Sequence, residues 1–129
     1  MVAVDTNVLV RLLTADDPKQ EAAARSLFET AAVWIAKTVL LETGWVLRSL
    51  YGFDDAAIRG AFLLLGLPNV HAEDEASVAA ALALTANGIE FADAIHLASR
   101  PSGAGFVSFD KAFVRRARRA GAPEVSGLP

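Results

Sequence analysis

The chain has 129 residues, 53% of them apolar and 21% charged, which is the size of one globular domain, residues 1–129, with a core of its own. Its net charge of −3 argues against a generic polybasic nucleic-acid binder, and the lack of cysteine excludes disulfides, thiolate metal sites and a cysteine nucleophile. No apolar run approaches the length of a membrane span and no secretion signal is recognisable, so we expect a cytoplasmic protein.

The first part of the sequence predicts a strand followed by two helices. "VAV" after Met1 is a short apolar run typical of a buried strand, and "NVLVRLL" predicts a brief helix. The next helix has a clear start, because Asp17 can act as its N-cap and Pro18 fills its first position. Its predicted inner face comprises Ala22, Leu27 and Phe28.

The middle of the sequence repeats this alternation. "AVWIA" predicts a strand, and "KTVLLETGWVLRSLYG" predicts a helix that starts at Thr38 and ends at Gly52. A further helix is capped by Asp54 or Asp55 and is expected to continue to Gly66, before the weak strand "NVHA".

The last part of the sequence predicts helices over 75–86 and 91–99, the strand "GFVSFD", a helix over 111–120 and an edge strand at "PEVSG". Short apolar strands that alternate with helices indicate an α/β fold with a parallel sheet covered on both faces.

Four acidic residues occupy comparable places in this alternation. Asp5 follows the first strand and Asp110 follows "FVSF", so both are expected at the edge where parallel strands end. Glu42 lies in the first turns of the helix after "AVWIA", and Asp93 lies in the opening turn of "EFADAIHLASR". Each alone has an ordinary explanation as a cap, a dipole partner or a solvated residue, but four together predict a cluster.

A cluster of carboxylates needs protons or a cation, because two such charges about 5 Å apart repel by about 3 kcal/mol at an effective dielectric of about 20. Oxygen ligands without cysteine or a histidine pair at helical spacing favour Mg²⁺ or Mn²⁺ over Zn²⁺. The single histidines, His71 and His96, are therefore expected to be structural. A divalent ion held by carboxylates activates water and offsets the charge of a phosphodiester, so the hypothesis is phosphodiester hydrolysis without a nucleophilic side chain.

Four stretches resemble, in order, the motifs of the PIN-domain ribonucleases, in particular the VapC toxins of bacterial toxin–antitoxin pairs: "AVDTNVLVRLLTADDP", "TVLLETGWVL", "EFADAIHLASR" and "FVSFDKAF". The resemblance covers essentially the whole chain and implies a Rossmann-like three-layer α/β/α sandwich with a mostly parallel five-stranded sheet. It also implies a Mg²⁺- or Mn²⁺-dependent endoribonuclease that acts as a toxin. The acidic quartet of the family falls on Asp5, Glu42, Asp93 and Asp110, with Asp5 and Asp93 as the principal metal ligands.

The resemblance extends to neighbouring polar residues. Thr6, Asn7 and Ser108 match positions that orient the carboxylates, although ordinary turn and capping roles explain them equally well. Glu90 stands where relatives often carry aspartate, and it either borders the site or caps a helix.

The implied partners are an RNA substrate, a second copy of the chain in a homodimer and a cognate small VapB-like antitoxin. The candidate RNA-binding cations are Arg11, Arg100, Lys111, Arg115, Arg116, Arg118 and Arg119, although arginines at the end of a helix also complement its dipole. The candidate surfaces for a protein partner lie around Trp45, Leu50, Tyr51 and Leu63 to Leu65, where core packing is the competing explanation. A mean hydropathy of +0.37 agrees with an apolar surface that another chain covers.

Two alternatives to a nuclease remain. A signalling receiver domain has a similar length and strand-end acids, but it needs an acid pair after the first strand and a lone aspartate after a middle strand, and this sequence has neither. A non-catalytic binding module with the PIN fold is the other alternative, and the complete acidic quartet argues against it.

Overall fold

The computed structural model describes residues 1–129 and shows an α/β chain in which helices alternate with short strands. In chain order the elements are β1 (Val2–Ala3), α1 (Thr6–Leu13), α2 (Pro18–Thr30), β2 (Val33–Ile35), α3 (Lys37–Tyr51), α4 (Asp55–Ala61), a 3₁₀ helix (Phe62–Gly66), β3 (Val70–Ala72), α5 (Glu75–Thr85), α6 (Phe91–Ala98), β4 (Phe106–Ser108), α7 (Lys111–Arg119) and β5 (Val125–Gly127). None of these helices combines the length and the hydropathy that a membrane span requires.

The chain forms two compact units, and the first comprises Met1–Glu75. Its sheet has the order β1-β2-β3 and is parallel throughout, with Val33 of β2 in register with Val2 on one side and Val70 on the other. Parallel neighbours need crossover connections, and the helix pairs α1–α2 and α3–α4 supply them. The buried side chains of this unit include Leu9, Val33, Ile35, Leu40, Leu47, Ile58 and Phe62.

The second unit comprises Ala76–Pro129 and contains a two-stranded parallel sheet of β4 and β5. Phe106 pairs with Val125 in this sheet, and its ring packs against Phe113 of α7 with ring centroids 5.7 Å apart. The buried side chains of this unit include Val78, Ala81, Ile89, Phe91, Leu97 and Val125.

The α/β class, the five strands and their parallel pairing are confirmed. The expected single five-stranded sheet differs from the structure, in which the strands pair as one group of three and one group of two. The strands are only two or three residues long, so each ladder has few hydrogen bonds, and β1 pairs with β2 alone while β4 pairs with β5 alone.

Local signals account for several helix ends. Asp17 caps α2, where its carboxylate accepts a 3.0 Å hydrogen bond from the Gln20 amide and Pro18 fills the first turn. Gly52 ends α3 in the left-handed conformation, with φ of 71°, which glycine adopts without a steric cost.

Two local predictions need correction. Ala22 is exposed, and the small residue that α2 buries beside Phe28 is Ala24. The helix that Asp54 caps does not continue to Gly66 as an α-helix, because it ends at Ala61 and the apolar segment after it forms the 3₁₀ helix.

Candidate active site

Asp5 lies two residues after β1, at the carboxyl end of the parallel sheet of the first unit, and it is exposed. One carboxylate oxygen, Oδ1, accepts a 3.0 Å hydrogen bond from the Val8 amide, so Asp5 is the N-cap of α1. Oδ2 has no hydrogen-bond partner in the protein. Capping therefore uses one of the two oxygens and leaves the other for a ligand at a helix N-terminus and sheet edge.

Glu42 is brought to the same region by the packing of α3 against α1. The Thr6 hydroxyl donates a hydrogen bond to Oε1 of Glu42, which fixes the position of that carboxylate relative to the start of α1. Thr6 is the residue directly after Asp5, so the chain itself connects the two acids. Asp5 and Glu42 both line a groove of about 510 Å³ between α1 and α3, which we call the α1–α3 groove.

A second groove of about 390 Å³, the α1–α2 groove, lies between α1 and α2. Asp5, Asn7 and Arg11 line both grooves, and Gln20 and Leu27 complete the second one on the side of α2. The exposed start of α1 therefore presents Asp5 to two adjacent concave surfaces. No other basic residue lines either groove.

The second unit carries the other two predicted acids. Asp110 is exposed, lies two residues after β4 and caps α7, where Oδ1 accepts a 3.0 Å hydrogen bond from the Phe113 amide. The Ser108 hydroxyl oxygen accepts a 3.0 Å hydrogen bond from the Asp110 amide, so Ser108 contacts the backbone of Asp110 and not its carboxylate. Asp93 is half-buried in the first turn of α6, where a negative charge is favourable.

The four predicted acids share one electrostatic feature: none of them is in an ion pair. Asp93 makes no side-chain hydrogen bond either, and the other three accept only the hydrogen bonds described above. Asp16, Asp55, Asp74 and Glu124 each pair with a lysine or an arginine, whereas Asp17, Glu29, Asp54 and Glu73 form no ion pair either. The predicted site acids therefore keep carboxylate oxygens that no basic side chain of the protein neutralises.

This donor set fits a hard divalent cation. Mg²⁺ and Mn²⁺ prefer carboxylate oxygens and keep several waters, so a site for them needs only a few protein ligands. Asp5 and Glu42 in the first unit, and Asp93 and Asp110 in the second, carry carboxylate oxygens of the kind that such an ion prefers. Within neither unit do three or more histidine, aspartate or glutamate side chains converge into a group that could hold a metal.

The comparison with protein families gives a match to the PIN domain over residues 2–119, which includes parts of both units and all four acids. The chain belongs to the PIN domain family. PIN domains are generally metal-dependent nucleases that use divalent ions such as Mg²⁺, so the family supports nuclease chemistry for this chain. Neither the curated proteins nor the solved structures gave a match.

Of the two histidines, His96 lies on α6 three residues after Asp93, whereas His71 lies in β3. Nδ1 of His71, in β3, lies 3.5 Å from the Glu75 carboxylate, and His96 is exposed in the last turn of α6. Among the candidate RNA-binding cations, Arg100 is held by an ion pair with Glu124 and by its hydrogen bonds to the carbonyl groups of Leu97 and Ala104. Its role in this structure is to tie chain segments of the second unit together.

One polar network near the first unit's grooves was not predicted from the sequence. Asp16, in the loop after α1, accepts hydrogen bonds from Arg11 at 3.0 Å, Thr14 at 3.0 Å and the Tyr51 hydroxyl at 2.6 Å. The Tyr51 hydroxyl is the main cause that lowers the pKa of Asp16 below its ordinary value, with Thr14 and Arg11 adding to it. The short spacing from Arg11 to Asp16 was a signal for the ion pair, but nothing local indicated Tyr51.

Proposed function

We propose that this PIN domain, residues 1–129, is an endoribonuclease dependent on Mg²⁺ or Mn²⁺, in which Asp5, Glu42, Asp93 and Asp110 are the functional acids and water hydrolyses the RNA phosphodiester bond. The observation that supports it most is the match over residues 2–119, which include all four carboxylates, to a family that consists generally of metal-dependent nucleases. Asp5 and Asp93 are the principal metal ligands in this proposal.

The contribution of each residue follows from its position. Asp5 holds its carboxylate in place by capping α1, and Thr6 holds the carboxylate of Glu42 beside the start of that helix. Asp110 is oriented in the same way by capping α7. A bound Mg²⁺ or Mn²⁺ supplies the positive charge that activates water and offsets the negative charge of the phosphate. Preorganised carboxylates lose little entropy when they bind a ligand, which favours a defined site geometry.

The experiment compares RNA cleavage by the unaltered protein and by Asp5→Asn, Asp93→Asn and the double variant, in Mg²⁺, in Mn²⁺ and in EDTA. We expect cleavage only with a metal, loss of cleavage in each single variant, and no further loss in the double variant, because residues that act as a unit are not additive. Calorimetric titration with Mn²⁺ gives a second readout, in which both single variants lose binding. Cleavage by both Asn variants at the unaltered rate contradicts the proposal.

We further propose that the protein is a VapC-type toxin, a homodimer that a small VapB-like antitoxin neutralises. Exposed apolar side chains support a surface for protein partners: Trp45 and Leu50 of α3 are 60% and 71% exposed, and Leu63 of the 3₁₀ helix is 77% exposed. Expression of the unaltered chain is expected to arrest growth, and expression of Asp5→Asn is not. Arrest by both, or by neither, contradicts the toxin role, and the mass of the purified protein in solution tests the dimer.

A further inference from the structure

An RNA strand that approaches Asp5 and Glu42 meets two negative charges, so the first unit needs a positive group close to them to hold a phosphate. Arg11 is the only basic residue that lines either the α1–α2 groove or the α1–α3 groove, and Asp5 lines both of them. Other arginines of the first unit are engaged elsewhere, as in the pairs Arg25–Glu21 and Arg48–Asp55.

The guanidinium of Arg11 is held in a fixed orientation. Nε donates a 2.8 Å hydrogen bond to Oε1 of Gln20, and Nη1 donates a 3.0 Å hydrogen bond to Oδ1 of Asp16. Asp16 is itself fixed through its other oxygen by the Tyr51 hydroxyl. Nη2 has no partner in the protein, and the Arg11 side chain is 27% exposed. Two of the three guanidinium nitrogens are thus used for positioning, and the third is left for a ligand.

We propose that Arg11 is a phosphate-binding residue of this nuclease, in which Nη2 holds a backbone phosphate that neighbours the one under attack, and that Asp16 and Gln20 are its positioning residues. This inference rests on the proposed function, since it takes single-stranded RNA as the ligand. An arginine whose planar fork is already oriented binds a phosphate oxygen with less loss of side-chain entropy than a mobile lysine.

The position along α1 indicates which phosphate Arg11 contacts. Arg11 lies six residues after Asp5, which corresponds to about 9 Å along a helix that rises about 1.5 Å per residue. Gln20 and Asp16, which both follow the end of α1 in the chain, hold the guanidinium. Arg11 therefore binds a phosphate that is separate from the group attacked beside Asp5, and it acts in binding and not in the chemical step.

The test measures the affinity of a fluorescein-labelled single-stranded oligoribonucleotide in Mg²⁺ over a range of salt concentrations. All proteins in this assay carry Asp5→Asn so that the RNA stays intact. We expect Arg11→Met to weaken binding about tenfold, the loss typical of a charge-assisted hydrogen bond. We also expect it to reduce the slope of log affinity against log salt by about 0.7, the value for one phosphate contact on a single strand.

Two further variants make the result specific. Arg25→Met removes an equal charge from α2, where Arg25 is 57% exposed and paired with Glu21, and it is expected to leave affinity and slope unchanged. Arg11→Lys keeps the positive charge and the salt slope but loses the planar guanidinium group. Its affinity is therefore expected to fall between that of the protein with Arg11 and that of Arg11→Met. The inference is wrong if Arg11→Met and Arg25→Met have the same affinity and salt slope. It is also wrong if the protein with Arg11 intact does not bind the oligonucleotide.

Kinetics with Asp5 restored separate this inference from the proposed function. Arg11→Met is expected to raise KM about tenfold with kcat nearly unchanged, the pattern of a lost binding contact. If Arg11→Met cleaves RNA with an unchanged KM, the proposed nuclease function stands and only the role of Arg11 in phosphate binding is rejected. If the protein binds the oligonucleotide through Arg11 but cleaves no RNA, the proposed nuclease function is wrong while the role of Arg11 in phosphate binding is supported.

Discussion

The hydroxyl of Tyr51, the last residue of α3, donates a 2.6 Å hydrogen bond to Oδ2 of Asp16, in the loop that follows α1. The two residues are 35 positions apart in the sequence. This bond ties the end of α3 to the loop after α1, beside the groove that Asp5 and Glu42 line.

The first prediction concerns the pH dependence of this bond. The Tyr51 hydroxyl lowers the pKa of Asp16 from its ordinary value of 3.8, so the folded state favours the ionised carboxylate. The stabilisation is therefore fully present above about pH 4 and is lost as the pH falls through the lower folded pKa. We expect Tyr51→Phe to unfold at a lower temperature than the unaltered protein at pH 7, and the difference to shrink below about pH 4. An equal difference at pH 7 and pH 3 contradicts this.

The second prediction concerns Thr6 as a residue that positions Glu42. Thr6→Val keeps the shape of the side chain but removes the hydroxyl that donates to the Glu42 carboxylate. We expect kcat for RNA cleavage to fall about tenfold or more, the size of effect that a hydrogen bond to a charged group supports. Thr6→Ser retains the donor and serves as the matched control, with cleavage close to that of the unaltered protein. Equal activity in the Val and Ser variants shows that the bond has no role in cleavage.

Features that depend on neighbouring residues, such as helix ends, could be predicted from the sequence. The caps at Asp17 and Gly52 depend on residues within one turn, and the structure confirms both. The error at Ala22 has a geometric reason. Ala24 and Phe28 are four positions apart and share a face of α2, whereas Ala22 lies six positions before Phe28 and points about 120° away from it.

The long-range features could not be predicted in the same way. The bonds Thr6–Glu42 and Tyr51–Asp16 connect residues about 35 positions apart, and they form because α1 packs against α3. The division of five strands into sheets of three and two depends on which short strands form hydrogen bonds, and strand composition carries no signal for that choice. The four candidate acids were predicted from motifs and strand ends, which fix their positions along the chain, and their role stays a prediction.

The third prediction compares a buried and an exposed leucine of the same helix. Leu47 of α3 is fully buried, whereas Leu50, three residues later, is 71% exposed. We expect Leu47→Ala to lower the free energy of unfolding by about 2–5 kcal/mol, because it removes buried methyl groups and leaves a cavity. Leu50→Ala is expected to change it by about 0.5 kcal/mol or less. Urea denaturation measures both, and similar losses in the two variants contradict the burial of this helix face.

The fourth prediction uses two glycines with opposite backbone requirements. Gly52 caps α3 with φ of 71°, a conformation that costs an L-residue about 1–2 kcal/mol, whereas Gly60 lies inside the helix α4. Gly52→Ala is therefore expected to destabilise the protein by about 1 kcal/mol. Gly60→Ala is expected to stabilise it by about 0.5–1 kcal/mol, since alanine has less backbone freedom to lose on helix formation.

Both glycine variants are compared with the unaltered protein by urea denaturation at pH 7, with the slope of each transition recorded to show that the unfolded states are alike. Space does not distinguish the two sites, because an added Cβ at either position meets no atom within 4 Å. Opposite signs of the change in the free energy of unfolding are then attributable to backbone conformation alone. Stabilisation by Gly52→Ala would mean that α3 does not end in the left-handed conformation, and destabilisation by Gly60→Ala would mean that α4 is not a regular helix at that residue.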